Sequence, residues 1–262
     1  MGQSQGGGTL TALVPPALAR QYHRRIMDTS SVSMVLRTVA RRAAAAIVCV
    51  IALSTCWLPE IFEAEVRFTS TGAFGVTYIG TLTYAPLYGQ IARNEISKEN
   101  ADRQNSQFLA FLKLDKAFKE VNALGRGRFQ VKFMREGQFA GNFQSFNFVN
   151  RQNPIFRLKT FEDGRIGLFG SGQAKFYAAR FEEVGLKMEG LVRVVTDAEV
   201  IEHNATFIRA APTPGFTQYD WRIRSLRDDP PRLVARLKVG PRTGVPAYGG
   251  LADGIDRDDG PN

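Results

Sequence analysis

The feature that most constrains this chain is a short uncharged, apolar run that ends at Cys56, the second of only two cysteines. The run covers residues 43–55, and three arginines within residues 37–42 precede it. A basic stretch followed by an apolar stretch of this length is the pattern of an N-terminal export signal. The uncharged stretch reaches only Pro59, so it barely approaches the roughly 20 residues of a membrane-spanning helix. We therefore predict a signal peptide over residues 34–55.

The residues that close this run, Leu53-Ser54-Thr55-Cys56, resemble a lipobox, the site at which bacterial lipoproteins are acylated and cleaved. The resemblance implies lipidation of Cys56, whose acyl chains would hold the protein on a membrane because each buried methylene contributes about 0.8 kcal/mol. Two alternatives stay open, an uncleaved single membrane span and an ordinary cleaved signal. No cysteine follows Cys56, so the remainder of the chain can form neither a disulfide framework nor a cysteine-based metal site.

The segment that precedes the signal, residues 1–33, does not fit an export signal. It contains three consecutive glycines, a pair of prolines and a basic cluster over residues 20–25. We expect the true start at Met27 or Met34, with residues 1–33 an upstream over-extension. If this leader is translated, its composition predicts disorder.

The positive charge of the chain is concentrated before Cys56. Residues 1–55 carry six arginines and one acid, which accounts for +5 of the formal net charge of +9. From Cys56 onward, 28 basic and 24 acidic residues leave +4. Interspersed charges of both signs are typical of a solvated surface, whereas phosphate neutralisation requires a concentrated basic face. The sequence therefore predicts no nucleic-acid partner.

The pattern after the signal predicts an α+β fold with antiparallel sheet. Period-two alternation over residues 62–68 and 74–84 around Thr71-Gly72 indicates a hairpin. Near-helical spacing after Ser97 predicts a long helix over residues 97–123, and a shorter helix is expected at 174–184. Further strands are predicted at residues 128–134, 139–149, 155–161, 165–169, 186–195 and 219–224, with many phenylalanines lining one face. We expect one α+β envelope domain over residues 56–240 and a disordered Gly/Pro/Asp-rich tail over 241–262.

Two passages together resemble a known group of proteins. They are Cys56 to Val66, and Arg193 to Ala205 followed by the strand Tyr219 to Ile223. They resemble uncharacterised proteobacterial lipoproteins and, more distantly, the LppM-like envelope lipoproteins of mycobacteria. The resemblance implies a protein of the bacterial cell envelope, anchored to a membrane and facing the periplasm or the cell exterior.

Candidate chemistry is sparse. The only histidine outside the leader is His203, which lies near Glu199 and directly before Asn204. A Glu–His pair could tune an imidazole, although adjacent residues of a strand point to opposite faces. Asn204 could instead adopt a left-handed turn and bond across to the strand of Trp221. These four residues form a possible polar cluster, with a backbone-bonded, structural role as the alternative.

Two classes of function therefore stay open. The first is a noncatalytic envelope lipoprotein that binds a lipid, an envelope polymer or a protein partner; a single-span membrane protein with an extracytoplasmic lipid-binding domain is a variant of it. The second is a hydrolase that uses carboxylates such as Asp197 and Glu199. Because no catalytic set, metal cluster or cofactor motif stands in the sequence, we expect a non-enzyme without catalytic residues, metal or cofactor.

Overall fold

The computed structural model describes residues 57–149 and 153–238, together with the backbone of residues 255–257. The predicted leader, the signal peptide with Cys56 and the rest of the predicted tail lie outside the described residues. Within the described ranges, no helix has both the length and the apolar character that a membrane span needs.

The domain is built mainly of strands, which form two sheets. A seven-stranded sheet has the order β10-β11-β8-β1-β2-β4-β3, and a six-stranded sheet has the order β13-β5-β6-β7-β12-β9. In chain order the strands are β1 (Trp57–Phe68), β2 (Ala73–Tyr84), β3 (Phe118–Gly125), β4 (Arg128–Gln138), β5 (Gln144–Asn147), β6 (Phe156–Thr160), β7 (Arg165–Gly170), β8 (Glu189–Thr196), β9 (Glu199–His203), β10 (Phe207–Ala210), β11 (Thr217–Ile223), β12 (Arg232–Arg236) and β13 (Ile255–Arg257).

Alternation along the strands buries one face of each sheet against the other. In β1, the side chains of Phe62, Ala64, Val66 and Phe68 are buried, whereas the residues between them are exposed or half-buried. Aromatic rings from the two sheets meet in the space between, as where the Tyr78 ring centre lies 4.8 Å from that of Phe148. Most of the predicted phenylalanines face this core, but they come from both sheets, and Phe161 and Phe169 lie on the outer face of the six-stranded sheet instead. Burial of the apolar rings between the sheets favours folding.

The predicted hairpin is confirmed: β1 pairs antiparallel with β2, and Gly72 takes the positive φ of 88° that the turn needs. The expectation of antiparallel sheet throughout is wrong at one place. β1 pairs on its other side with β8 in parallel, so the seven-stranded sheet is mixed. Alternation predicts which residues of a strand face the core, but it does not say in which direction a strand more than a hundred residues later will pair.

The long helix ends earlier than predicted. The helices are α1 (Ala85–Ala92), α2 (Lys98–Leu114), α3 (Gln173–Phe176) and α4 (Ala178–Glu183). Ser97 caps α2 as expected, since its side chain accepts a hydrogen bond from the Asn100 amide. The last third of the predicted helix over 97–123 is wrong, because the chain leaves α2 at Asp115 and then forms β3. Asp115 accepts from the Ala117 amide at 2.9 Å, a local bond that competes with continuation of a helix.

Three more differences concern short elements. The shorter helix expected at 174–184 is present as two consecutive turns, α3 and α4. Of the strand predicted over residues 139–149, only residues 144–147 belong to a ladder, and Phe143 and Val149 on either side have positive φ. β9, β10 and β12 were not predicted, because each is only four or five residues long. Residues 255–257, inside the segment expected to be disordered, pair with β5.

The buried phenol of Tyr78 predicts a specific pH dependence. Its hydroxyl donates to the Thr81 carbonyl oxygen at 3.2 Å, and desolvation by burial, followed by the charge of Glu60, raises its pKa well above 10.0. Above about pH 10 the unfolded chain loses this proton while the folded chain keeps it, so stability falls as pH rises. We expect the free energy of unfolding to fall by up to about 1.4 kcal/mol per pH unit from this group.

Urea unfolding of the wild-type chain and of Tyr78→Phe between about pH 9 and about pH 11 measures that slope. The Phe variant should lose the part of the slope that comes from Tyr78, whereas other titrating groups affect both proteins alike. Equal slopes for the two proteins would contradict the assignment.

Candidate functional site

Asn204 joins three strands through its amide. Its Oδ1 accepts from the Trp221 indole nitrogen at 2.7 Å and from the Arg232 amide at 2.7 Å, and its Nδ2 donates to the Pro230 carbonyl oxygen at 2.9 Å. The structure therefore brings Asn204 and Trp221 together, as the sequence suggested, but without a left-handed turn. With its amide oxygen and nitrogen both engaged, Asn204 is a structural link between the end of β9, β11 and β12.

The other two members of the predicted cluster, His203 and Glu199, do not take part in this link. His203 has a local hydrogen-bond partner, and Glu199 lies at the other end of β9. The His203 Nδ1 accepts from the Ala205 amide at 3.1 Å, and its ring centre lies 5.2 Å from that of Tyr219. Glu199, at the other end of β9, pairs with Arg236 at 3.3 Å on an exposed surface. Glu199 and His203 therefore do not form a catalytic pair.

The carboxylate of Asp197, which was considered for a hydrolase, and that of Asp220 on β11 are engaged in structural contacts. Asp197 accepts from the Ser70 amide at 2.6 Å and from the Ser70 hydroxyl at 2.8 Å. Asp220 is held by Arg193 at 2.9 Å and Arg209 at 3.2 Å. Because Asp220 follows Tyr219 on β11, it points to the face opposite to the one on which His203 meets Tyr219.

The Asn204 link predicts a loss of stability on truncation. Asn204→Ala leaves the Trp221 indole and the Arg232 amide without their acceptor, which should cost about 2 kcal/mol of unfolding free energy. Asn204→Asp keeps an acceptor at Oδ1 but places a carboxylate oxygen, which cannot donate, against the Pro230 carbonyl oxygen, so it should also destabilise the domain, by about 1 kcal/mol or more. Urea unfolding followed by tryptophan fluorescence measures both. An Ala variant as stable as the wild type would contradict the structural role.

A buried ion pair stands at the beginning of β1, where sequence reasoning found none. Both Glu60 oxygens accept from Arg128, at 2.8 Å from Nε and 2.5 Å from the terminal nitrogen, and the Thr83 hydroxyl also donates to Glu60. The Glu60 side chain is 8% exposed. The guanidinium lies 5.6 Å from the Tyr88 ring centre. A bidentate pair of this kind links β1 to β4 across β2 near the start of the domain.

A cleft of about 690 Å³ lies on the outer face of the six-stranded sheet. Its volume lies in the range of ligand sites. We call it the basic cleft, because four cationic side chains and a single acidic one line it. Its charged residues are Arg157, Lys159, Arg165, Arg232 and Glu202.

Strand register explains why these cations are neighbours. Arg157 on β6 pairs with Phe169 on β7, and Phe169 pairs with Arg232 on β12. Two arginines therefore flank one aromatic residue in a row across three strands. In the next row, Gly167 lies between Lys159 and Val234, and a Cβ there would meet the Phe169 ring at 2.5 Å. The missing side chain lets Phe169 lie flat over the strand and form the floor of the cleft.

Cations also lie against the aromatic rings of the cleft. Lys159 Nζ is 4.7 Å and the Arg165 guanidinium 5.2 Å from the Phe161 ring centre. The Arg232 guanidinium is 5.8 Å from that of Phe169. Such cation–π contacts help to hold positive charge close to the sheet.

A second, apolar cavity lies between the sheets, beside the basic cleft, and shares Gly170 and Ser171 with it. Phe62, Tyr78 and Leu168 are among its walls. Its volume is only about 50 Å³. That is room for a few water-sized groups and far below the size of a pocket for a lipid chain.

Comparisons with known proteins give little beyond this geometry. No family model matches the chain, and no curated protein matches it significantly. Among solved structures, the NMR structure of the folded domain of the Mycobacterium tuberculosis protein LppM is similar, with a TM-score of 0.32 and 12% sequence identity. The match covers 70% of this chain and 92% of that chain. A similarity at this level does not carry an argument about function.

The basic cleft was missed by sequence reasoning, which treated the charges after Cys56 as an evenly mixed surface. The alternation Phe156-Arg157-Leu158-Lys159 was visible, and it does place both cations on the outer face of β6. What the sequence did not show is that β7 and β12 would lie beside β6 and bring Arg165 and Arg232 to the same face. Pairing of β6 with β12 through β7 joins residues about 75 positions apart, which local patterns do not encode.

Proposed function

We propose that this chain is a bacterial envelope lipoprotein, tethered to a membrane through acyl chains at Cys56, whose β-rich domain is a noncatalytic binding module. The observation that carries the proposal is the position of β1. This strand begins at Trp57, the residue directly after the predicted lipidation site, and Trp57 and Leu58 are already buried. A lipid at Cys56 would therefore hold the folded domain against the membrane with no linker between them.

The start of β1 is rigid enough for such a junction. Trp57 packs against Phe108 on α2, with ring centres 5.8 Å apart, and against Tyr84 at 5.3 Å. The pair of Glu60 and Arg128 follows three residues later. A tether pulls on whatever part of the domain comes directly after it, and here that part is a central strand held by aromatic packing and by a buried ion pair.

Noncatalytic binding is favoured over hydrolysis because the candidate carboxylates already have partners. Glu199, Asp197 and Asp220 each contact a cation or a hydrogen-bond donor of the domain. The small volume of the apolar cavity favours a domain that binds at its surface over one that encloses an acyl chain. The alternative, a single membrane span with a lipid-binding domain, gives the same membrane location. It differs in that Cys56 would carry no acyl chain.

The tether has a direct test in a bacterial host that processes lipoproteins. The wild-type chain should incorporate radiolabelled palmitate and fractionate with membranes. Cys56→Ser should lose the label, because the acceptor thiol is absent, while Cys49→Ser, which changes the other cysteine, should keep it. Fractionation after carbonate washing measures attachment.

Two results would contradict the proposal. Label retained in Cys56→Ser would place the acyl chain elsewhere. A wild-type chain that incorporates no label but stays attached to membranes through carbonate washing, as Cys56→Ser also does, would favour an uncleaved membrane span over residues 43–59.

A further inference from the structure

We propose that the basic cleft binds the phosphate-bearing headgroup of an anionic phospholipid in the membrane to which the domain is tethered. The proposal rests on the proposed function for the identity of that membrane. The binding chemistry itself rests on the cleft alone.

Charge is the first argument. Among the described residues that line the cleft, four are cations and one is an acid, an excess of three positive charges. Arg232 lies 3.1 Å from Glu202 and Arg165 lies 2.6 Å from Asp163, with all four side chains at least 40% exposed. Exposed ion pairs contribute little to stability, so a phosphate can replace the carboxylate at small cost.

Geometry is the second argument. Arg157 and Arg232 lie on either side of Phe169, on strands that are each about 4.8 Å from β7. The Arg157 Nε donates to Asn147 at 2.6 Å, which orients its planar guanidinium. Two arginines on either side of one residue suit a phosphate, because the planar guanidinium of each can donate two parallel hydrogen bonds to phosphate oxygens.

The rings of the cleft favour a headgroup over a nucleic acid. Proteins that bind single-stranded nucleic acids stack bases on exposed aromatic faces. Here Lys159 and Arg165 lie against Phe161, and Arg232 lies against Phe169. Rings in contact with cations from their own sheet offer less surface on which a base can stack.

The position of the cleft favours a ligand that belongs to the membrane. One end of the cleft continues into a small cavity at the start of β1, next to the predicted lipidation site. Four residues line both spaces, namely Asn153, Pro154, Ser171 and Gln173, and the small cavity is completed on the β1 side by Trp57, Leu58 and Pro59. A domain held directly at Cys56 would thus bring this end of the cleft to the level of the headgroups.

The small volume of the adjoining apolar cavity implies that the protein contacts only the polar headgroup of the lipid. At about 50 Å³ it has no room for an acyl chain, so the chains of a bound lipid would stay in the bilayer. We therefore infer recognition of a headgroup in place, without extraction of the lipid.

Titration with short-chain lipids tests the proposal on the full chain in a nonionic detergent. The probes are dihexanoyl phosphatidylglycerol, which is anionic, and dihexanoyl phosphatidylcholine, which is zwitterionic, measured by calorimetry. We expect the anionic lipid to bind at least about ten-fold more tightly, and the double variant Arg157→Gln/Arg232→Gln to lose about that factor. Affinity should also fall as salt is raised.

The matched control is Arg67→Gln/Arg93→Gln. It removes two arginines that are also paired with glutamates, Arg67 with Glu65 at 3.0 Å and Arg93 with Glu95 at 2.7 Å, but that do not line the cleft. Its affinity should change less than about two-fold. If circular dichroism shows that the cleft variant does not fold, Lys159→Gln/Arg232→Gln takes its place.

Several outcomes would overturn the proposal: equal binding of the two lipids, equal loss in the control variant, or no binding. Inorganic phosphate that binds as tightly as the anionic lipid would identify a free anion as the ligand. A thymidine oligonucleotide that binds more tightly and loses affinity in the cleft variant would identify a nucleic acid. Since the titration needs no lipidation, it can fail or succeed independently of palmitate labelling at Cys56.

Discussion

The aromatic contact between the two sheets is the interaction on which the rest of the structure depends. Phe74 lies 5.8 Å from Phe146, and Tyr78 lies 4.8 Å from Phe148, ring centre to ring centre, so the inner faces of both sheets are fixed against each other. Because successive side chains of a strand point to opposite faces of the sheet, the residues that face the core determine which residues face solvent. The buried Phe156 and Leu158 of β6 thereby commit Arg157 and Lys159 to the outer face.

The same alternation carries over to the neighbouring strands and produces the basic cleft. In β7, Ile166 and Leu168 face the core, so Gly167 and Phe169 face outward. In β12, Leu233 and Ala235 face the core, so Arg232 and Val234 face outward. A concentrated positive surface therefore arises as the outer side of an apolar core. Its floor depends on Gly167, where any Cβ would collide with the Phe169 ring.

How much of this could be predicted from the sequence depends on the range of the interactions. The hairpin of β1 and β2 was predictable because alternation and the Thr71-Gly72 turn act within about 30 residues. The parallel pairing of β1 with β8 was not, since nothing local in residues 57–68 refers to residues 189–196. The end of α2 was missed for a different reason. Lys113, Lys116 and Lys119 continued a helix-like pattern, while the bonds of Asp115 to Ala117 and Arg135 ended the helix.

The functional account joins two neighbouring features of the domain. One is the start of β1, directly after Cys56, and the other is the basic cleft beside it. Hydrogen–deuterium exchange of the lipidated chain in nanodiscs tests that account most directly, with phosphatidylglycerol discs compared with phosphatidylcholine discs. The account predicts slower amide exchange over residues 153–171 and 230–236 in the anionic discs only, with the distant β10 unchanged. Equal exchange in both discs, or protection of β10 in place of the cleft, would contradict it.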